Sequence, residues 1–70
     1  MMHVVTINGR LTELPDELPD NLAALLQHLN VDAATIVAEI DGLIVRREAF
    51  DKTPIRPAQT IELVRFVGGG

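Results

Sequence analysis

The stretch Thr60-Ile61-Glu62-Leu63-Val64-Arg65-Phe66-Val67 alternates apolar and polar positions over most of its length. A period of two is the signature of a half-buried strand, and it points Ile61 and Leu63 inward with Glu62, Val64 and Phe66 on the other face. Working backwards, Ile36-Val37-Ala38-Glu39-Ile40 shows the same period and meets Asp41-Gly42, a hairpin-turn dipeptide, before the short apolar run Leu43-Ile44-Val45. The opening His3-Val4-Val5-Thr6-Ile7 is rich in β-branched residues and runs into Asn8-Gly9, so Arg10-Leu11-Thr12-Glu13-Leu14 is expected to pair back on it until Pro15 ends the hairpin. Val5 and Ile7 then share one face, Val4 and Thr6 the other.

Only one segment departs from the strand period. Leu22, Leu25, Leu26 and Leu29 fall at i, i+3, i+4 and i+7, which predicts a helix of about three turns. Asp20 or Asn21 suits its N-cap, and His28 with Asn30 suits its end. Arg46 to Lys52 is polar apart from Ala49 and Phe50, and is expected to be an irregular or single-turn connection with Phe50 plugging the core. Pro54 and Pro57 bracket a loop in which Ile55 is expected to be buried. The order of elements predicts an α+β roll, a four- to five-stranded mixed sheet packed on one helix. Residues 1–67 form the expected domain and residues 68–70 a flexible tail.

The chain has 70 residues, 6 Lys plus Arg against 10 Asp plus Glu, and no cysteine. A domain this small buries only about 60% of the surface its unfolded chain exposes, which disfavours a deep catalytic cleft. Without cysteine there is no disulfide, no thiolate nucleophile and no sulfur-based zinc site. A formal charge of -4 opposes nucleic acid and anionic lipid. No stretch reads as a membrane span or a signal peptide, so the expected compartment is the cytoplasm.

Side-chain catalysis has few candidates. The sequence contains no serine, and His3 and His28 carry no metal-ligand spacing. Asp16, Glu17 and Asp20 read as a solvated loop favoured by a helix N-terminus. Arg46, Arg47 and Lys52 form one local basic patch, read as a solvated turn or as a dock for an acidic surface.

Gly68-Gly69-Gly70 is different. With glycine at roughly 7% of average usage, three in a row at a chain end arise by chance on the order of once in a few thousand sequences. Three extended residues reach about 10 Å, and without Cβ atoms they pass through a narrow tunnel. The α-carboxylate of Gly70 is ionised at neutral pH and can attack an activated phosphate; it becomes a good acyl donor only once its oxygen is converted to a better leaving group. Adenylation by an ATP-using partner is the natural first step.

These residues carry a resemblance. The Asn8-Gly9 hairpin, Leu25-Leu26, Asp41-Gly42-Leu43-Ile44-Val45-Arg46-Arg47 and the ending from Ile61 through Arg65-Phe66-Val67 to the glycines resemble the ThiS family, the ubiquitin-like sulfur carriers of thiamine thiazole biosynthesis. The resemblance implies a β-grasp fold and a co-substrate rather than an enzyme. It implies that a ThiF-type adenylyltransferase uses ATP to adenylate Gly70, with no cofactor held by the carrier itself. A donor such as a cysteine desulfurase then supplies sulfur for a thiocarboxylate, which thiazole synthase consumes. Gly68 and Gly69 would thread the partner's active site, and Phe66, Val67, Val64 and Val37 would dock it. Family members usually have Asn at Asp41, Pro at Arg46, an aromatic with a polar handle at Phe50, and Gly-Asp at Ala58-Gln59. Two other readings are the small sulfur-carrier subunit of molybdopterin synthase, and a ubiquitin-like binding module with a passive tail.

Overall fold

The structure is a computed structural model that describes residues 3–15 and 19–66. Strand β1 (His3–Ile7) and β2 (Arg10–Leu14) form the first hairpin, followed by helix α1 (Leu22–His28), β3 (Ile36–Ile40), β4 (Leu43–Val45) and β5 (Thr60–Arg65). Both hairpins turn where the sequence places them. Asn8 and Gly9 have φ of 51° and 80°, Asp41 and Gly42 of 51° and 85°, the paired left-handed conformations that match the twist of the flanking strands.

The five strands form one sheet in the order β2-β1-β5-β3-β4. β5 lies parallel to β1 and antiparallel to β3, so the last strand of the chain occupies the centre. With α1 packed on one face, this is the β-grasp arrangement. The buried residues form one cluster: Leu22, Leu25 and Leu26 of the helix with Val5, Ala38 and Ile61 of the sheet, joined by Phe50 and Ile55 from the connections. A fully buried Leu contributes about 1.5–3 kcal/mol, so the three helix leucines are the main staple of a domain without disulfides.

The helix is shorter than its leucine stripe predicts, seven residues with Leu29 as C-cap. Asn30 takes a left-handed φ of 58°, its N–H donates to Gln27 and that of Val31 donates to Leu26. This pair of bonds satisfies the free carbonyls and stops the helix. At the other end Asn21 rather than Asp20 is the cap. Its Oδ1 accepts from Ala24 N–H at 2.8 Å while its Nδ2 donates to the Asp51 carbonyl at 3.0 Å. The second bond fastens the helix start to the segment after β4. That segment, expected to be irregular or a single turn, is a six-residue 3-10 helix, Arg47–Lys52, which turns Phe50 into the core. A one-turn 3-10 element, Ala33–Thr35, also precedes β3.

Two turn residues reach beyond their turns to hold β5. Asn8 N–H donates to the Ile61 carbonyl, and its side-chain amide then imitates a further strand residue. Oδ1 accepts from Leu63 N–H at 2.7 Å and Nδ2 donates to the Leu63 carbonyl at 3.2 Å. Asp41 needs only to accept, taking the Thr60 N–H at 2.9 Å, which a carboxylate does as well as an amide. The different demands explain an amide at one turn and a carboxylate at the other. Asn8→Ala loses both bonds and the tolerance for positive φ, and is expected to cost about 1–2 kcal/mol. Asn8→Asp keeps the accepting bond and is expected to cost less; thermal melts of the two variants check the order.

Ala58 has a φ of 67°, a conformation that crowds its Cβ. Its N–H donates to the Val4 carbonyl at 2.8 Å and holds the turn in register beside β1. Ala58→Gly removes the crowding and loses some of the gain to a freer unfolded chain, for a net stabilisation of about 0.5–1 kcal/mol. The expected result is a melting temperature several degrees higher.

Candidate functional site

The one-sided core leaves the other sheet face bare. Seven large apolar residues are exposed among those described, and strand alternation puts six of them, Val4, Leu11, Val37, Ile44, Val64 and Phe66, on this outer face. The register groups Val37, Val64 and Phe66 at one end of this face and Val4 and Leu11 at the other, and a grouped exposed apolar patch is a mark of partner contact. Its best-organised part lies at the C-terminal end of β5. Val37 and Val64 are directly opposite each other across β3 and β5, 42% and 57% exposed. Phe66 follows two positions after Val64, and its N–H donates to the Thr35 carbonyl at 3.1 Å. That bond continues the β3–β5 ladder past the end of the strand. Phe66 is 48% exposed, so it is not a core residue.

The position of β5 matters mechanically. A central strand is hydrogen-bonded along both edges: β1 and the Asn8 turn hold β5 as far as Leu63, and the β3 side holds it up to Phe66. Val67, Gly68, Gly69 and Gly70 lie outside the described residues, as do Asp16 and Glu17 of the acidic loop.

The remaining sequence candidates fall elsewhere. Arg46, Arg47 and Lys52 are exposed, and Arg46 and Lys52 border an open groove of about 560 Å³ floored by Leu43, Ile44 and Ala49 on the β4 side of the domain. His28 is in the last turn of α1 and His3 is in β1. Among the described residues no group of three His, Asp or Glu side chains is placed to hold a metal ion. No buried polar or charged side chain occurs among them either, so the described part of the domain offers no shielded acid or base.

Sequence reasoning left one feature unseen. Alternation puts Glu39 and Glu62 on the outer face, but only the observed register sets them directly opposite each other, with Ile44 next in the same row. No local sequence signal reports that pairing.

The model of the ThiS family matches residues 5–70. This chain belongs to the ThiS family. The ThiS-family chain is similar to the crystal structure of the thiamine biosynthesis protein ThiS from Geobacter metallireducens, with 33% sequence identity and a TM-score of 0.81. The likeness covers 96% of this chain and 99% of that one. It is also similar to the solution structure of a thiamine biosynthesis protein from the same organism, at 32% identity and a TM-score of 0.78, over 96% of this chain and 87% of that one. No curated protein matches the chain. Among the described residues no helix is long and apolar enough to cross a membrane.

Proposed function

We propose that this ThiS-family chain is a cytoplasmic sulfur carrier for thiamine thiazole synthesis, a co-substrate whose reactive group is the Gly70 carboxylate. The observation that carries this reading is a family match that runs through the terminal glycines, residues 5–70. The names of both solved relatives, thiamine biosynthesis proteins, support thiazole rather than pterin as the destination of the sulfur.

The chemistry proceeds in two displacements. A carboxylate oxygen of Gly70 attacks the α-phosphorus of ATP on a ThiF-type adenylyltransferase, forming the acyl-adenylate and releasing pyrophosphate. Hydrosulfide then attacks the acyl carbon, forms the C–S bond, expels AMP and loses its proton, leaving a thiocarboxylate. A donor such as a cysteine desulfurase supplies the sulfur as a persulfide, from which a second thiol releases the hydrosulfide by attacking the inner sulfur and closing a disulfide. Thiazole synthase takes up the sulfur of the thiocarboxylate. Docking through Val37, Val64, Phe66 and Val67 fixes the base of the tail, so that Gly68 and Gly69 can deliver the carboxylate along a narrow channel. Binding energy gained at the sheet face thereby orients a group several residues away.

Intact-mass measurement tests the reading. After incubation with the adenylyltransferase of the same organism, ATP and sulfide, replacement of one oxygen by sulfur is expected, with fragmentation placing it at Gly70. An unchanged mass, under conditions in which that enzyme modifies another carrier, would overturn the proposal.

A further inference from the structure

The Glu39–Glu62 pair borders the proposed docking patch, one row before Val37 and Val64 on the same face. The two residues are direct partners across β3 and β5, both half-buried, and neither side chain makes a hydrogen bond or ion pair with a described residue. Like charges directly opposite each other on a sheet destabilise it, so the pair costs the free domain stability and gains nothing there. Apolar residues frame it, with Ile44 in its own row and Val37 and Val64 in the next. A partner that covers the apolar residues must also cover the carboxylates, and two desolvated carboxylates without a cation would oppose the complex.

We propose that the adenylyltransferase surface seated on this face presents an arginine to Glu39 and Glu62. A planar guanidinium has donors on two edges, so one side chain can bridge two carboxylates that lysine would meet only as a point charge. The net charge of -4 on the carrier favours the same encounter at longer range. This inference rests on the docking reading above and adds its electrostatic half: the apolar row supplies contact area, and the acidic pair selects among apolar surfaces.

Binding of the ThiF-type adenylyltransferase of the same organism, measured by titration calorimetry at two salt concentrations, tests it. The variants are the double substitution Glu39→Gln with Glu62→Gln, and separately Phe66→Ala. The double variant is expected to melt at the same or a higher temperature than the parent, to bind roughly 10- to 100-fold more weakly, and to lose much of the salt dependence. Parental affinity and parental salt dependence in the double variant, with weakened binding by Phe66→Ala, would overturn the arginine inference and leave the docking reading standing. Parental affinity in both variants would overturn the docking reading as well.

Discussion

Deletion of Gly70 is expected to abolish sulfur acceptance, with at least a 100-fold loss of rate, and to leave the melting temperature of the domain unchanged. One residue fewer withdraws the terminal carboxylate by roughly 3.5 Å, and one residue more carries it past the nucleotide by the same distance. Displacement at phosphorus needs the attacking oxygen within about 3–3.5 Å, and even a 1 Å error costs about 100-fold. The tail cannot absorb the change by sliding, because β5 is hydrogen-bonded to β1 and β3 and the ladder continues to Phe66. Stability is insulated for the same reason, since the packed core ends with Ile61 and its neighbour Leu63. Mass spectrometry after reaction, paired with a thermal melt, checks both halves. A shortened chain that accepts sulfur at the parental rate would remove Gly70 from the mechanism.

The two phenylalanines provide the second large effect, because they are the same side chain in opposite surroundings. Phe50 is 3% exposed and Phe66 is 48% exposed. Phe50→Ala leaves a ring-sized cavity in the core and is expected to cost about 3–5 kcal/mol. A domain of this size has a total stability of only roughly 3.5–10 kcal/mol, so the variant should be substantially unfolded near body temperature. Phe66→Ala is expected to change stability by no more than about 0.5 kcal/mol and to weaken the adenylyltransferase complex about 10- to 100-fold. Denaturant titration and calorimetry separate the two outcomes. Strong destabilisation by Phe66→Ala would mean that the outer face helps to hold the fold and is not simply waiting for a partner.

Much of this was legible in the sequence because short-range rules act without opposition here. Asn8-Gly9 and Asp41-Gly42 are among the few residue pairs that take two positive φ angles cheaply, so both hairpins follow from them. The apolar spacing of Leu22, Leu25 and Leu26 can be buried only by a helix, and all three are buried. Where the reading was incomplete, the missing terms were non-local. The helix stops at His28 because the Asn30 turn closes its carbonyls, although Leu29 continues the stripe. The segment after β4 coils because Phe50 must reach the core and Asn21 must reach Asp51, a constraint 30 residues away along the chain.

The same division holds for the site. The sequence by itself determined a small acidic domain with two hairpins, one helix, an inward row on each strand and a glycine ending, since each depends on backbone preference or on a period within a few residues. Tertiary structure alone decided that β5 lies at the centre and that Val37 faces Val64. It alone decided that Asn8 grips Leu63 from 55 positions away and that Glu39 meets Glu62. These are consequences of strand order and register. Register is fixed by burying one face of all five strands together, and no single strand carries that information.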